Sequence, residues 1–233
     1  MRFDLLILDN DGVLVDSEPI ANGVLAGLLT ECGYPTTYAE SVRVYLGGTL
    51  RLVRETVEPR LGRPLPADFE ERYHQRLFDR MRTELTAVSG VAAALDALLA
   101  DGDLAGLAMC VASSGTHERI ERSLASVGLL ARFRGRIFSA QDVPRGKPYP
   151  DLFRYAAGRM GAEPARCLVL EDSPHGVTAA KAAGMTVIGY AGLTPAERLS
   201  DADMVIERMA ELPNAIRSFA ITESHRATVT WRS

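Results

Sequence analysis

The stretch MRFDLLILDNDGVLVD, residues 1–16, decides the fold. Leu5, Leu6, Ile7 and Leu8 form an apolar run that ends in Asp9, Asn10, Asp11 and Gly12, with Asp16 close behind. A strand that is apolar at every position suits a parallel sheet covered by helices on both faces. Carboxylates cannot be buried without partners, so the acids belong at the carboxyl end of that strand. Open α/β sheets bind their ligands at that end. Beyond the strand the two-residue alternation lapses, and Gly12 allows a sharp turn, so Asp9 and Asp11 can face one small cavity. Carboxylates held close together call for a cation. Hard divalent ions prefer oxygen ligands, and Mg2+ is the usual partner of phosphate groups. The competing reading is turn capping, in which Asp and Asn bond their own backbone.

Outward from this strand, the chain first turns helical. Residues 17–32 have apolar positions Ile20, Val24, Leu28 and Cys32 at helical spacing, Ser17 or Asp16 as cap, and Gly33 as stop. Further helices are expected over 37–46, over 49–61 and over 66–85, the last with Phe69, Tyr73, Leu77, Phe78 and Met81 as its apolar stripe. No strand candidate interrupts 17–84. The remainder alternates: helices at 91–99, 116–127, 149–160, 174–183 and 208–219, and strands at 104–112, 136–139, 167–170, 185–189 and 202–206. Strands separated by helices at this spacing predict a parallel sheet with right-handed crossovers. The expected class is therefore α/β, a Rossmann-like three-layer parallel-sheet core with an inserted alpha-helical cap domain. The expected division is a discontinuous core of residues 1–15 and 86–221, a cap of residues 16–85, and a C-terminal tail of residues 222–233.

Composition narrows the function classes. With 233 residues and 47% apolar side chains, the chain can bury a substantial core. A formal charge of -4 gives no sign of nucleic-acid or anionic-membrane binding. Arginine carries almost all of the positive charge, since Lys147 and Lys181 are the only lysines. Cys32, Cys110 and Cys167 are widely spaced and odd in number, which fits thiols of a reducing compartment, not a disulfide frame or zinc site. No apolar run is long enough to cross a bilayer. A soluble, cytoplasmic protein is expected, as a monomer or weak homodimer.

Four predicted strand ends carry polar groups: Asp9 and Asp11; Ser113, Ser114 and Gly115; Lys147 in GKPYPDLF; and Glu171, Asp172 and Ser173. Converging strand ends would gather them around one cavity. The order and spacing resemble the four motifs of the haloacid dehalogenase-like hydrolase superfamily. DNDGVLVDS in particular is similar to the first motif of its phosphatase branch, DxDGxLxDS. Within that branch the chain resembles the phosphoglycolate phosphatase, beta-phosphoglucomutase and 6-phosphogluconate phosphatase group, the last especially in LTAVSGVAAAL and MCVASSG.

The resemblance implies roles. Asp9 would attack phosphorus and carry an aspartyl-phosphate, a step open to carboxylates. Asp11 would act as general acid and base, and its backbone carbonyl would face the metal. Ser113 and Ser114 would bind phosphoryl oxygens, and Lys147 would neutralise the phosphate and restrain the nucleophile. Mg2+ would be held by Asp9, Asp11, Asp172 and Glu171, the last directly, through water, or only by orienting another ligand. Each has a plainer alternative: turn or helix capping for Asp11, Ser113, Glu171 and Asp172, and a solvated side chain for Lys147. Asp16 would organise the turn between core and cap. Asn10 departs from the apolar or aromatic residue usual between the two acids.

The cap would close over the substrate and select its non-phosphate part. Asn22, Tyr45, Gly47, Gly48, Thr49 and Arg51 are the candidates there, with ordinary helix and turn packing as the alternative for each. His117 could reach an anionic substrate from a helix start. The expected reaction is Mg2+-dependent hydrolysis of a small phosphorylated metabolite, a sugar phosphate or phosphorylated sugar acid. A sugar-phosphate mutase is the first alternative. It would need a cap histidine and a cap arginine where this chain has Ala21 and Leu50, with Arg51 adjacent. A non-catalytic phosphate- or metal-binding protein is the second.

Overall fold

A computed structural model describes residues 2–104 and 106–219. The chain separates into two compact units, one running to Val15 and resuming at Ala87, the other spanning Asp16–Thr86. The expected tail of 222–233, with its Val229 and Trp231, lies outside the described residues. Among the described residues no helix is long and apolar enough to cross a membrane.

The first unit is a six-stranded parallel sheet. Its strands are β1 (Leu5–Leu8), β2 (Ala108–Ser113), β3 (Ile137–Ser139), β4 (Cys167–Glu171), β5 (Thr186–Tyr190) and β6 (Met204–Ile206), in the order β3-β2-β1-β4-β5-β6. β1 is central because it is apolar throughout: all four residues are fully buried. Burying each such side chain contributes about 1.5–3 kcal/mol. Leu5 and Ile7 share one face with Cys110, Ala112, Cys167, Val169 and Val187, packed against Leu152, Phe153, Ala156, Val177 and Ala180. Leu6 and Leu8 are buried on the opposite face, as the two-residue period requires.

The strand order reverses at β1. The chain steps outward through β2 and β3, then returns to the other side of β1 for β4, β5 and β6. Leu8 pairs with both Val111 and Leu170, which brings the carboxyl ends of β1, β2 and β4 level. This reversal is a topological switch point, where sheets of this kind hold their ligands. The helices of this unit are α5 (Val91–Ala100), α6 (His117–Ser126), α7 (Leu130–Phe133), α8 (Asp151–Met160) and α9 (Pro174–Ala183), and residues 212–219 are also helical. The first strand of the alternating half begins later than its apolar run, at Ala108. Residues 102–104 form a turn instead, with Asp103 donating its N–H to Asp101 Oδ1 at 2.9 Å.

The second unit is helical: α1 (Glu18–Glu31), α2 (Tyr38–Tyr45), α3 (Leu50–Leu61) and α4 (Phe69–Glu84). α1 packs on α2 and α4. Its apolar residues serve two clusters, Leu25, Leu28 and Leu29 with Val53, Val57 and Phe69, and Ile20 and Val24 with Leu77. Thr37 and Glu40 form a capping box at α2, and Thr49 caps α3. Ser17 makes no side-chain cap bond because its own backbone is helical and Pro19 removes one of the donors. In α4 the inward row is Phe69, Tyr73 and Leu77, with Met81 against the second cluster, while Phe78 is exposed. One residue past Leu77, Phe78 falls about 100° round the helix from it.

Candidate active site

The site is built at the switch point. Asp9 continues β1, its N–H donating to the Leu170 carbonyl at 3.0 Å. The chain then turns back on itself. Leu14 and Val15 donate to the Asn10 carbonyl, and Gly12 donates to the Val15 carbonyl at 2.8 Å. Gly12 has φ +78°, and a Cβ there would run into the Asp172 carboxylate. Gly176, in the first turn of α9, is required in the same way: a Cβ would occupy the space of the Glu171 carboxylate. Two glycines thus leave room for two acids.

Lys147 joins the parts. Its Nζ donates to Asp9 Oδ1 at 2.7 Å, to Glu171 Oε1 at 2.6 Å and to the Ala112 carbonyl at 3.1 Å. It also lies 4.9 Å from the centre of the Phe153 ring. Glu171 is fully buried, and its other oxygen accepts from the Ser173 N–H at 2.8 Å and hydroxyl at 2.9 Å. Burial opposes the charge on Lys147, yet the carboxylates of Asp9 and Glu171 outweigh burial and hold its pKa above the ordinary lysine value. Burial pushes the Asp9 carboxyl up to about 7, with Lys147 pulling it back and Glu171 and Asp11 adding to the rise.

Oxygens of Asp9, Glu171 and Asp172 all lie within 4.8 Å of one another. The three carboxylates outnumber the one ammonium that bridges two of them, an arrangement that suits a divalent cation. The donors are all oxygen, which fits a hard ion. The Asp11 carboxylate is not part of this group. It accepts from Arg119 Nη2 at 2.8 Å.

Ser113 closes β2 and is buried, its Oγ accepting from the Gly115 N–H at 3.1 Å. Ser139 Oγ donates to the Gly115 carbonyl at 2.6 Å and ties β3 to that turn. Ser114 is exposed. His117 is 2.9 Å from Asp142 Oδ1, so its ring has a partner inside the fold. Asn10 is buried and donates to Ser123 Oγ at 3.1 Å, which explains a polar residue where an apolar one is usual.

The helical unit holds a cavity of its own, about 210 Å³, lined by residues of all four of its helices and the turn before α3. Asn22, Tyr45, Gly47, Gly48 and Thr49 line it, together with Tyr73 of the expected apolar stripe and with Glu18 and His74, which the sequence pattern does not single out. Asn22 donates to the Glu18 carboxylate and accepts from Ser41 Oγ at 2.9 Å. Arg51 does not line it: its side chain is 85% exposed and bonded to Glu55 at 2.7 Å. Ala21 and Leu50 both line it.

Residues 3–184 match the model of the haloacid dehalogenase-like hydrolases. The chain is 30% identical over 193 residues to the 6-phosphogluconate phosphatase of Escherichia coli (strain K12), covering 81% of this chain and 83% of that protein. A haloacid dehalogenase-like protein of Agrobacterium tumefaciens str. C58 superposes with a TM-score of 0.86 at 40% identity, over 94% of this chain and 99% of that one. A HAD family hydrolase of Deinococcus radiodurans R1, solved with bound phosphate and sodium, superposes with a TM-score of 0.77 at 32% identity, over 93% and 96%. The chain belongs to the haloacid dehalogenase-like hydrolases. With its buried cluster of acids, it is an enzyme of the phosphatase branch, acting on a small phosphomonoester.

Proposed function

We propose that the chain hydrolyses a small sugar phosphate or phosphorylated sugar acid with the help of Mg2+, through a phosphoryl group carried on Asp9. The observation that carries this reading is Lys147, buried between Asp9 and Glu171 beside Asp172. That arrangement suits an anion brought up to a carboxylate nucleophile. Lys147 fixes Asp9 and offsets its charge, so a phosphate can approach without meeting an uncompensated acid. Glu171, whose oxygens are engaged by Lys147 and Ser173, serves to orient the lysine. Asp9 and Asp172, with the Asp11 carbonyl, would hold Mg2+, which supplies charge neutralisation at the phosphoryl oxygens. Ser113 and the amides of Ser114 and Gly115 would take phosphoryl oxygens from the end of β2.

Asp11 then gives a proton to the leaving alcohol and later takes one from water, work worth roughly a hundred- to ten-thousand-fold. Support for the sugar class is the likeness to 6-phosphogluconate phosphatase. Support for hydrolysis over a mutase is the cap cavity, where Ala21 and Leu50 stand in the lining and Arg51 turns to Glu55. Phosphate release from a panel of phosphomonoesters, with Mg2+ and after chelation, tests the reading with Asp9→Asn as blank. Metal-dependent release that vanishes in Asp9→Asn is expected. Absence of release from every ester would refute it, and discharge of a phosphorylated enzyme only by a sugar phosphate would favour the mutase.

A further inference from the structure

Lys147 reaches its acceptors from the middle of a stretch without regular structure, residues 143–150, which joins the turn Ala140–Asp142 to α8. A flexible four-carbon stem separates its Nζ from the backbone, so the course of the loop decides where the ammonium arrives. One end of the loop is firm: Leu152 and Phe153, in the first turn of α8, are fully buried. That turn has no side-chain cap of its own, because Pro150 stands at the cap position. The other end is tied down by a side chain two residues before the lysine. Arg145 donates from Nε to Asp151 Oδ1 at 3.1 Å and from Nη2 to Asp151 Oδ2 at 3.0 Å, a two-pronged fork between planar groups. The same guanidinium lies 4.6 Å from the centre of the Tyr149 ring, and the Tyr149 N–H donates to the Gly146 carbonyl at 3.0 Å. Fork and stack close residues 145–151 into a ring that carries Lys147. The Arg145 side chain is 57% exposed, so the fork lies at the surface, outside the buried group of acids that the lysine serves.

We propose that Arg145 is a positioning residue, whose fork to Asp151 and stack on Tyr149 hold the loop in the course that brings Lys147 Nζ to Asp9 and Glu171. Its effect on turnover rests on the hydrolysis proposed above, in which Lys147 restrains the nucleophile. An exposed ion pair adds little to stability, and the use of this one is geometric. Without it the loop is held at the α8 end alone, and the ammonium is delivered less often to Asp9. A displacement of about 1 Å in such an arrangement can slow a reaction about a hundredfold. Arg145 acts through Lys147 and exchanges no proton.

Lys147 and Lys181 are the only lysines of the chain, so an amine-acylating reagent reads the loop directly, with the 42% exposed Lys181 as reference in the same molecule. The full chain is treated with an N-hydroxysuccinimide ester of acetate, and both lysine peptides are followed by mass spectrometry. Wild-type Lys147 should be protected. In Arg145→Met its labelling should accelerate roughly tenfold, a local opening, while Lys181 keeps its rate. In the same variant kcat for phosphate release should fall by about tenfold to a hundredfold, equally for every ester that the wild type accepts, because Lys147 serves the phosphoryl transfer that all share. Arg145→Lys keeps the charge, loses the fork and should recover only part of both effects. Asp151→Ala should match Arg145→Met, and the double variant should be no worse than either. Unaltered labelling of Lys147, faster labelling of both lysines together, or an unchanged kcat would overturn the positioning role. If the wild-type chain releases phosphate from no ester, the phosphatase reading fails and the effect on turnover with it, whereas the labelling still decides whether the fork holds the lysine.

Discussion

Lys147 Nζ and Asp9 Oδ1 meet at 2.7 Å, with 138 positions of chain between them, both side chains nearly sealed from water. An ammonium held that way does two things. It stabilises the folded core only so long as its carboxylates remain, and it keeps the acid oxygen aimed. Removing one partner of a buried pair leaves an uncompensated charge and costs about 3–5 kcal/mol. Lys147→Met, which leaves Asp9 and Glu171 facing each other, should lower the unfolding free energy by about that much. Denaturant unfolding of the metal-free protein measures it, and a loss below about 1 kcal/mol, the level of a surface pair, would contradict the buried bridge.

Asp9 should be a liability for stability at alkaline pH. A carboxyl whose folded value is raised above its unfolded value of about 3.9 favours the fold fully below that unfolded value. That contribution is lost as the pH rises through about 7. Asp9→Asn does not titrate. The unfolding free energy of Asp9→Asn relative to wild type should therefore improve between acid and mildly alkaline buffers, with chelator present, while activity is abolished throughout. A difference that does not vary with pH would show that burial does not govern Asp9.

A proton on Asp9 also competes with a cation. Stabilisation of the protein by added Mg2+ should grow as the pH rises through about 7, and binding below that pH should release protons. Thermal melts with and without Mg2+ at several pH values, with proton release followed by calorimetry in two buffers, check this. A metal-induced shift of equal size on both sides of neutrality would contradict it.

The two glycines that admit the acids separate steric need from helix propensity. Gly12→Ala and Gly176→Ala should each destabilise by 2 kcal/mol or more and abolish activity, since the added carbon takes the place of Asp172 or Glu171; that is about the upper range of ordinary point substitutions. Gly158→Ala, in α8 with open space around it, should instead stabilise by about 0.5–1 kcal/mol. Parallel unfolding curves decide it, and equal behaviour of the three would refute the packing argument.

In the helical unit, Asn22→Ala removes the acceptor of the fully buried Ser41 hydroxyl and the donor to Glu18. A loss of about 1–3 kcal/mol is expected for leaving a buried polar group unmet. Asn22→Ala together with Ser41→Ala should recover part of it, and a double variant no better than the single one would contradict the pairing.

The sheet was legible because its three central strands announce themselves twice: β1, β2 and β4 carry apolar runs, and each run ends in polar residues. Leu5–Leu8 followed by Asp9, and Cys167–Leu170 followed by Glu171 and Asp172, are apolar runs too short for a buried helix, and the acids mark the strand ends where Lys147 meets them. The helical insert was legible from its spacing, although Phe78 shows the limit. A stripe written with both Leu77 and Phe78 contains one residue too many for a single helix face, and only packing decides which is left outside. Arg119 left no signal. An arginine in a first helical turn is ordinary among so many arginines, and only tertiary placement of α6 brings it to Asp11. Asn10 was visible as a departure, but its partner Ser123 was not, because a serine inside an amphipathic helix carries no mark of what it faces. Tyr73 was likewise absorbed into a helix stripe before the fold set it beside a cavity, and His74 next to it carried no signal at all.

The most direct test of the account is where the phosphoryl group rests between its two transfers. Asp11→Asn cannot take the proton from water, so the second transfer should stall once the first has occurred. Rapid quenching of Asp11→Asn with dinitrophenyl phosphate, which needs no proton to depart, followed by peptide mass spectrometry, reads the site. The account predicts a phosphoryl group on the peptide containing Asp9, absent when Asp9 is also replaced by Asn. Wild-type turnover with no phosphorylated peptide in the stalled variant, or with the group on any residue other than Asp9, would contradict it.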